Sequence, residues 1–347
     1  MRFNRQKLTT FELLDMVEMC SSINSLTLRE RKRICHDFDI PIQLFVSPYF
    51  ELSLFEYLRR GVNIIDKFEN ALKTVEDQRS VSQDIFAYGQ QLVFKVVDFI
   101  KEQAAYKKFC LIDMNDVYPM KSLRETSPYM LKEVDIYKVT GKDEEYEVKG
   151  FNEFTILDIS NANFNVLKTY IPEAIGGVST YSELVNKVAG GSQYLKDSKY
   201  LRQVIFGNLN PKRIQRLQRF FLEELYDSIR VNAPETAKYL LGRLGSDALV
   251  FPRVCSFDLP NKYNSVKVEN VRIRQMKPHP FFVIEHRGKN EVEFKQVPTY
   301  FFSQVFKKYF DEPIEENDLN FQFEGLLAAL KEPLEFFDST PSMHDEY

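Results

Sequence analysis

Two short stretches carry a single carboxylate at the end of an apolar run: FTILDIS, with Asp158, and GSDALVF, with Asp247 ahead of Leu249, Val250 and Phe251. If these runs are neighbouring strands, their acids meet at one end of a sheet, and such a pair repels unless divalent cations sit between the carboxylates. Mg²⁺ or Mn²⁺ held there takes its remaining ligands from water and the phosphates of a nucleoside triphosphate. Two cations so placed activate an attacking hydroxyl and stabilise a leaving pyrophosphate. Taken singly, each acid has a plainer reading as a turn former or helix cap, and Gly245-Ser246-Asp247 is a good hairpin turn in its own right. Between the acids lies PKRIQRLQRFF, in which Lys212, Arg213, Arg216 and Arg219 precede the first acid, Glu223. Such a run suits a nucleic-acid backbone, or a solvated helix face.

The elements that would position these residues are written in periodicity and turn chemistry. Residues 1–108 read as a helical lobe: Thr27 and Glu30 form a capping box, Pro48 opens a further helical run, and apolar residues recur at three- and four-residue steps over 62–75 and about 82–107. At Phe109 the texture changes. CLIDM is a short apolar run, and VDIYKVT and EYEVKG flank Gly141-Lys142 as a hairpin, so 109–150 reads as an insertion. FTILDIS follows as a strand, then a helix from near Asn161 to before Pro172, a loop over 175–180, and helices over 181–188 and from Asp197. Pro211 opens a long helix, 211–230, with Ile214, Leu217, Phe221 and Leu225 on one face. Two β runs, 239–244 and 248–251, hinge at 245–247; VRIRQM and PFFVIEHRGKNEVEFK read as strands and YFFSQVFKKYF as a helix.

With the acids on strands and helices between them, LDISNANFNVL resembles the first catalytic motif of palm-domain polymerases. In reverse transcriptases that motif is an apolar strand, an Asp, small or polar residues, an aromatic and an apolar helix start; Asp158, Ala162, Phe164 and Val166 fall in matching places. Ser160 and Asn161 also resemble the same motif of family A polymerases. GSDALVF resembles the third motif of both groups, and SKYLRQVIFGNLNPKR looks like the second motif of family A, with Arg202, Phe206 and Gly207 at its spacing. The order and gaps lie nearer those of reverse transcriptases and viral RNA-dependent RNA polymerases. The resemblance, over about 150–255, implies an α+β protein: a helical N-terminal lobe followed by a polymerase-like palm, an antiparallel sheet with helices packed on one face. It implies Asp158 and Asp247 as catalytic metal ligands, Lys199, Arg202, Phe206 and Gly207 around the nucleotide, and Lys212, Arg213, Arg216 and Arg219 on nucleic acid. Asn163 would read the sugar and, as a modest hydrogen-bonding residue, favours ribonucleotides. Lys277 is a candidate proton donor to pyrophosphate, and Lys121 with Arg124 a fingers loop over the phosphates. Ala248 departs from the pattern where many relatives carry a second acid, as does Asn163 where an acid or aromatic is common.

Composition bounds what remains. Among 347 residues, 44% are hydrophobic and 28% charged, as in ordinary globular proteins. The expected organisation is a helical lobe over 1–108, a fingers-like insertion over 109–150, a palm-like core over 151–255, a strand-rich and helical extension over 256–330, and an acidic tail over 331–347. Cys20, Cys35, Cys110 and Cys255 stand far apart with no C-x-x-C pair, and the four histidines do not cluster with them, which disfavours zinc or a disulfide framework. With no apolar run long enough to span a membrane and no signal-peptide pattern, the expectation is a cytoplasmic protein with no membrane partner. A net charge of −4 argues against a generally basic coat protein but allows a local basic groove. Three readings follow: a compact template-directed nucleotidyltransferase using nucleoside triphosphates and a nucleic-acid template; a palm-derived protein that only binds nucleic acid or subunits; and a helical scaffold docking partners through its N-terminal lobe or acidic C-terminal region.

Overall fold

A computed structural model describes residues 27–38, 71, 73–74, 85–120, 131, 133–140, 151–277, 279, 281–288, 291–298, 301–323, 326–330 and 332–336. The helical run expected from Pro48, most of that over 62–75, Lys121, Arg124 and the hairpin expected about Gly141 lie outside them. In chain order the described helices are α1 (Leu28–Phe38), α2 (Ile85–Glu102), α3 (Ala104–Leu111), α4 (Met114–Val117), α5 (Ile136–Thr140), α6 (Ala162–Tyr170), α7 (Tyr181–Ala189), α8 (Gln193–Asp197), α9 (Lys199–Gly207), α10 (Pro211–Asn232), α11 (Pro234–Ala237) and α12 (Phe302–Tyr309). The strands are β1 (Glu153–Ile159), β2 (Gly242–Leu244), β3 (Ala248–Phe251), β4 (Val266–Lys277), β5 (Phe282–His286), β6 (Glu291–Lys295), β7 (Asn320–Phe323), β8 (Leu326–Ala329) and β9 (Glu335–Phe336). This is an α+β protein. It forms two compact units, each drawn from two stretches of chain: Met1–Lys121 with Ile159–Leu225, and Ser122–Asp158 with Tyr226–Tyr347.

The first unit is helical. At its start the capping box closes as expected: Thr27 N donates to Glu30 Oε2 at 2.8 Å and Glu30 N to Thr27 Oγ1 at 3.3 Å. Near the end of α1, Asp37 is fully buried, paired with Arg33 at 2.9 Å and accepting the Tyr194 hydroxyl. A buried carboxylate without such partners would be costly, so this node fastens α1 to α8. Ser198 both caps α9, accepting from Leu201 N at 3.1 Å, and donates to Asp37 O at 3.2 Å. Within α2, Gly89 admits the Tyr194 ring, since a Cβ there would stand 2.7 Å from Tyr194 Cε1. The first part of α10 buries Ile214, Leu217, Phe221 and Leu225 completely, as its periodicity requires.

The second unit is built on an antiparallel sheet in the order β2-β3-β1-β4-β5-β6, with β9 added to β4 and a separate β7-β8 ribbon. Its core gathers Phe154, Val250, Val271, Ile273, Phe282 and Ile284 from the sheet with Ile136 and Val139 from α5. Gly242 is where Leu131 and Val134 approach the sheet. Leu131 N donates to Leu241 O at 2.6 Å and Val134 N to Arg243 O at 2.7 Å, and a Cβ on Gly242 would lie 2.1 Å from Leu131 O.

Two local expectations are corrected. VDIYKVT was expected as a strand, but Ile136–Thr140 is helical, because Asp135 Oδ1 accepts from Tyr137 N and Lys138 N and so caps a turn of helix. In the apolar run CLIDM, Cys110 and Leu111 finish α3, and Asp113 caps α4 by accepting from Asn115 N at 2.7 Å. The β run expected over 239–244 begins only at Gly242, since Tyr239 N and Leu240 N bond back to Thr236 and Ala237 carbonyls in the turn that ends α11.

Candidate functional site

β1 and β3 run antiparallel with Thr155 opposite Phe251, Ile156 opposite Val250, Leu157 opposite Leu249 and Asp158 opposite Ala248. Directly opposed Cα atoms lie about 4.5–5.5 Å apart. Asp247 immediately precedes Ala248, so both acids stand at the same end of adjacent strands, half-buried. By strand alternation Asp158 shares its face with Phe154 and Ile156, which pack into or against the core. It is therefore the polar exit of an otherwise apolar stripe, which answers why a buried strand ends in a carboxylate. Asp247 is set by its turn: Gly245 has φ 62°, and a Cβ there would lie 3.5 Å from Asp247 Oδ1. Ala248, directly opposite Asp158, is buried, and among the described residues no group of three or more His, Cys, Asp or Glu gathers to hold a metal. Two carboxylates are nevertheless the share a protein commonly contributes to Mg²⁺ when phosphates and water complete the octahedron.

Of the other candidates in this unit, Lys277 is not brought to the acids. Ile273 N donates to Asn152 O at 2.8 Å, and Thr155 Oγ1 lies 2.5 Å from Asn270 Oδ1. Numbers fall along β4 as they rise along β1, so the strands are antiparallel and Lys277 lies beyond the start of β1, at the end of the sheet away from Asp158. There it is exposed, opposite Glu335 of β9. Continued toward the other end, the same register sets Lys267 beside Asp158.

The remaining candidates belong to the helical unit, where several are engaged by the fold. Phe206 is 1% exposed and packs near Tyr181, with ring centroids 6.4 Å apart, so it is core rather than a platform for a base. Arg202 lies over the Tyr181 ring at 5.5 Å, and burial holds its guanidinium below the ordinary value. Arg213 Nη1 donates to Phe109 O and Ile112 O, both at 2.9 Å, and so closes the C-terminal end of α3. Arg216 donates to Tyr118 O through Nε at 3.3 Å and Nη2 at 3.1 Å. Lys199, Gly207, Lys212 and Arg219 are exposed. Asn163, in the first turn of α6, accepts from Gln218 Nε2 at 2.9 Å, which directs its own amide N–H₂ away from that bond.

Sequence reasoning missed Gln218, a polar residue 3% exposed on the apolar side of α10, and Lys267. Gln218 carried a faint signal, a lone amide beside Leu217 in a helix of strong periodicity. Lys267 carried none until β1 and β4 were paired. No family model, curated protein or solved structure matches this chain.

Proposed function

We propose that this protein catalyses template-directed nucleotidyl transfer with Asp158 and Asp247 as its metal-binding carboxylates. The observation that supports the reading is the β1–β3 register, which sets the two acids at one end of neighbouring strands across a hairpin turn. When bound, Mg²⁺ or Mn²⁺ would supply charge neutralisation at the reacting phosphate. The chain's own part is to hold the two carboxylates rigidly: β1 anchors Asp158 through its buried neighbours, and the Gly245 turn aims Asp247. Within the helical unit, Lys199, Lys212 and Arg219 are exposed, as side chains that bind phosphate must be. Asn163, which accepts from Gln218 within the helical unit, carries by resemblance the sugar-reading role, in which its amide would meet a ribose 2′-hydroxyl. One such bond, about 1 kcal/mol, corresponds to about a fivefold preference for ribonucleotides, hence RNA synthesis.

Asp158→Asn and Asp247→Asn should each reduce nucleotide incorporation to background while leaving nucleic-acid binding nearly intact, because the metals act on the transition state. Activity retained in either variant would refute the assignment. A second reading, a palm-derived protein that binds without catalysis, is favoured by the engagement of Phe206, Arg213 and Arg216 in packing and carbonyl contacts and by Ala248. Calorimetry with Mg²⁺ and a nucleoside triphosphate separates the two: the catalytic reading requires metal-dependent binding that either Asp→Asn change abolishes.

A further inference from the structure

The β1–β4 register has a chemical consequence at the Asp158 end of the sheet. Asn152 is bonded to Ile273 and Thr155 touches Asn270, and both pairs sum to the same total along antiparallel strands. Carried on by three residues, that register sets Lys267 opposite Asp158. The faces agree, because Lys267 alternates in step with Val271 and Ile273, which lie in the same core as Phe154. Asp158 is thus flanked by Ala248 on β3 and Lys267 on β4. Lys267 is exposed, the second residue of β4, and no ion pair joins it to an acid among the described residues.

We propose that Lys267 is a polyphosphate-binding residue: its ammonium anchors the outer phosphates of a nucleoside triphosphate whose inner oxygens face Asp158 and Asp247. The inference rests on the reading of those two acids given above. The carboxylate pair can accept an anion only through an intervening cation, whereas the ammonium beside it meets phosphate oxygens directly with charge-assisted hydrogen bonds. A lysine on its flexible stem suits this task as a point charge, and an arginine of similar reach would preserve it. Lys267 acts here through its charge and transfers no proton.

The test uses the full chain and inorganic tripolyphosphate, titrated in the presence of Mg²⁺ by calorimetry. Wild type is expected to bind saturably. Lys267→Ala should bind about tenfold more weakly, the loss expected for one charged hydrogen bond, and Lys267→Arg should stay within about threefold of wild type. Lys277→Ala, an equally exposed lysine at the far end of the sheet, should bind as wild type does. Equal binding by wild type and Lys267→Ala would overturn the role of Lys267 while leaving the acids' role standing. Failure of wild type to bind in either Mg²⁺ or Mn²⁺ would overturn both. Because the side chain is exposed, a melting temperature matching wild type is expected for both Lys267 variants. If Lys267→Ala nonetheless melts lower, Lys267→Arg against Lys267→Gln decides the matter: equal affinities would refute an electrostatic role.

Discussion

At the scale of single residues, the same side-chain type serves different ends according to what it faces. Four cations precede the first acid of α10, yet Arg213 and Arg216 point into backbone carbonyls of Phe109, Ile112 and Tyr118 while Lys212 and Arg219 face water. Arg216→Ala should therefore destabilise the fold by about 1–3 kcal/mol, since it strips the Tyr118 carbonyl of its donor. Denaturant midpoints measure this, and the salt slope of nucleic-acid binding should not change. Lys212→Ala with Arg219→Ala should do the opposite, altering stability by less than about 0.5 kcal/mol per site while flattening the slope of log affinity against log salt by about one unit each. Gly245 is the other residue on which the site depends. At φ 62° an alanine costs about 1–2 kcal/mol, and the strain falls on the turn that presents Asp247. Incorporation by Gly245→Ala should drop further than its thermal stability alone explains; full activity in that variant would show that the turn does not aim the acid.

At the scale of elements, the sheet is held by contacts between segments far apart in sequence. Gly242 lets Leu131 and Val134 lie against the edge of β2, and Gly242→Ala would drive a methyl group into the Leu131 carbonyl, 2.1 Å away, and Val134 Cγ2, 2.7 Å away. Backbone cannot yield as a flexible side chain can, so a loss of about 1–3 kcal/mol is expected, read as a lowered melting temperature. Across β5 and β6, the hydrogen bond from His286, with Lys295 adding to it, holds the Glu293 carboxyl well below the usual carboxylate range. A carboxyl whose folded value is depressed contributes stability that is present above its unfolded value, about 4.3, and is lost as pH falls through the folded one. Wild type should accordingly exceed Glu293→Gln in stability at neutral pH, with the difference shrinking on acidification below about pH 4.3. A difference that stays constant from neutral to acid pH would mean that the pairing contributes nothing.

At the scale of the whole molecule, each compact unit takes one segment from before Asp158 and one from after it, so the chain passes between units at three points, one of them inside α10. A fragment of residues 1–158 lacks the second segment of both units and should show neither protection from hydrogen exchange nor resistance to proteolysis; a protected core in that fragment would contradict the division. Among the described residues no helix is long and apolar enough to cross a membrane. Much of the local architecture was written in the sequence: the Thr27–Glu30 box, the helix from Pro211, the strand ending at Asp158 and the turn at Gly245 all rest on capping, periodicity and turn chemistry that act over a few residues. Where a local signal was ambiguous, as in VDIYKVT, an aspartate cap decided for helix. What only the tertiary structure decided is which strand lies beside which and in what register. That choice joined Asp158 to the Asp247 turn, carried Lys277 to the far end of the sheet, brought Lys267 alongside, and turned Arg213, Arg216 and Phe206 inward. Except for Phe206, which packs near Tyr181, each of these depends on partners about a hundred residues away, and pairing over such distances is settled by burial and backbone hydrogen bonding across the whole core, which no short window of sequence contains.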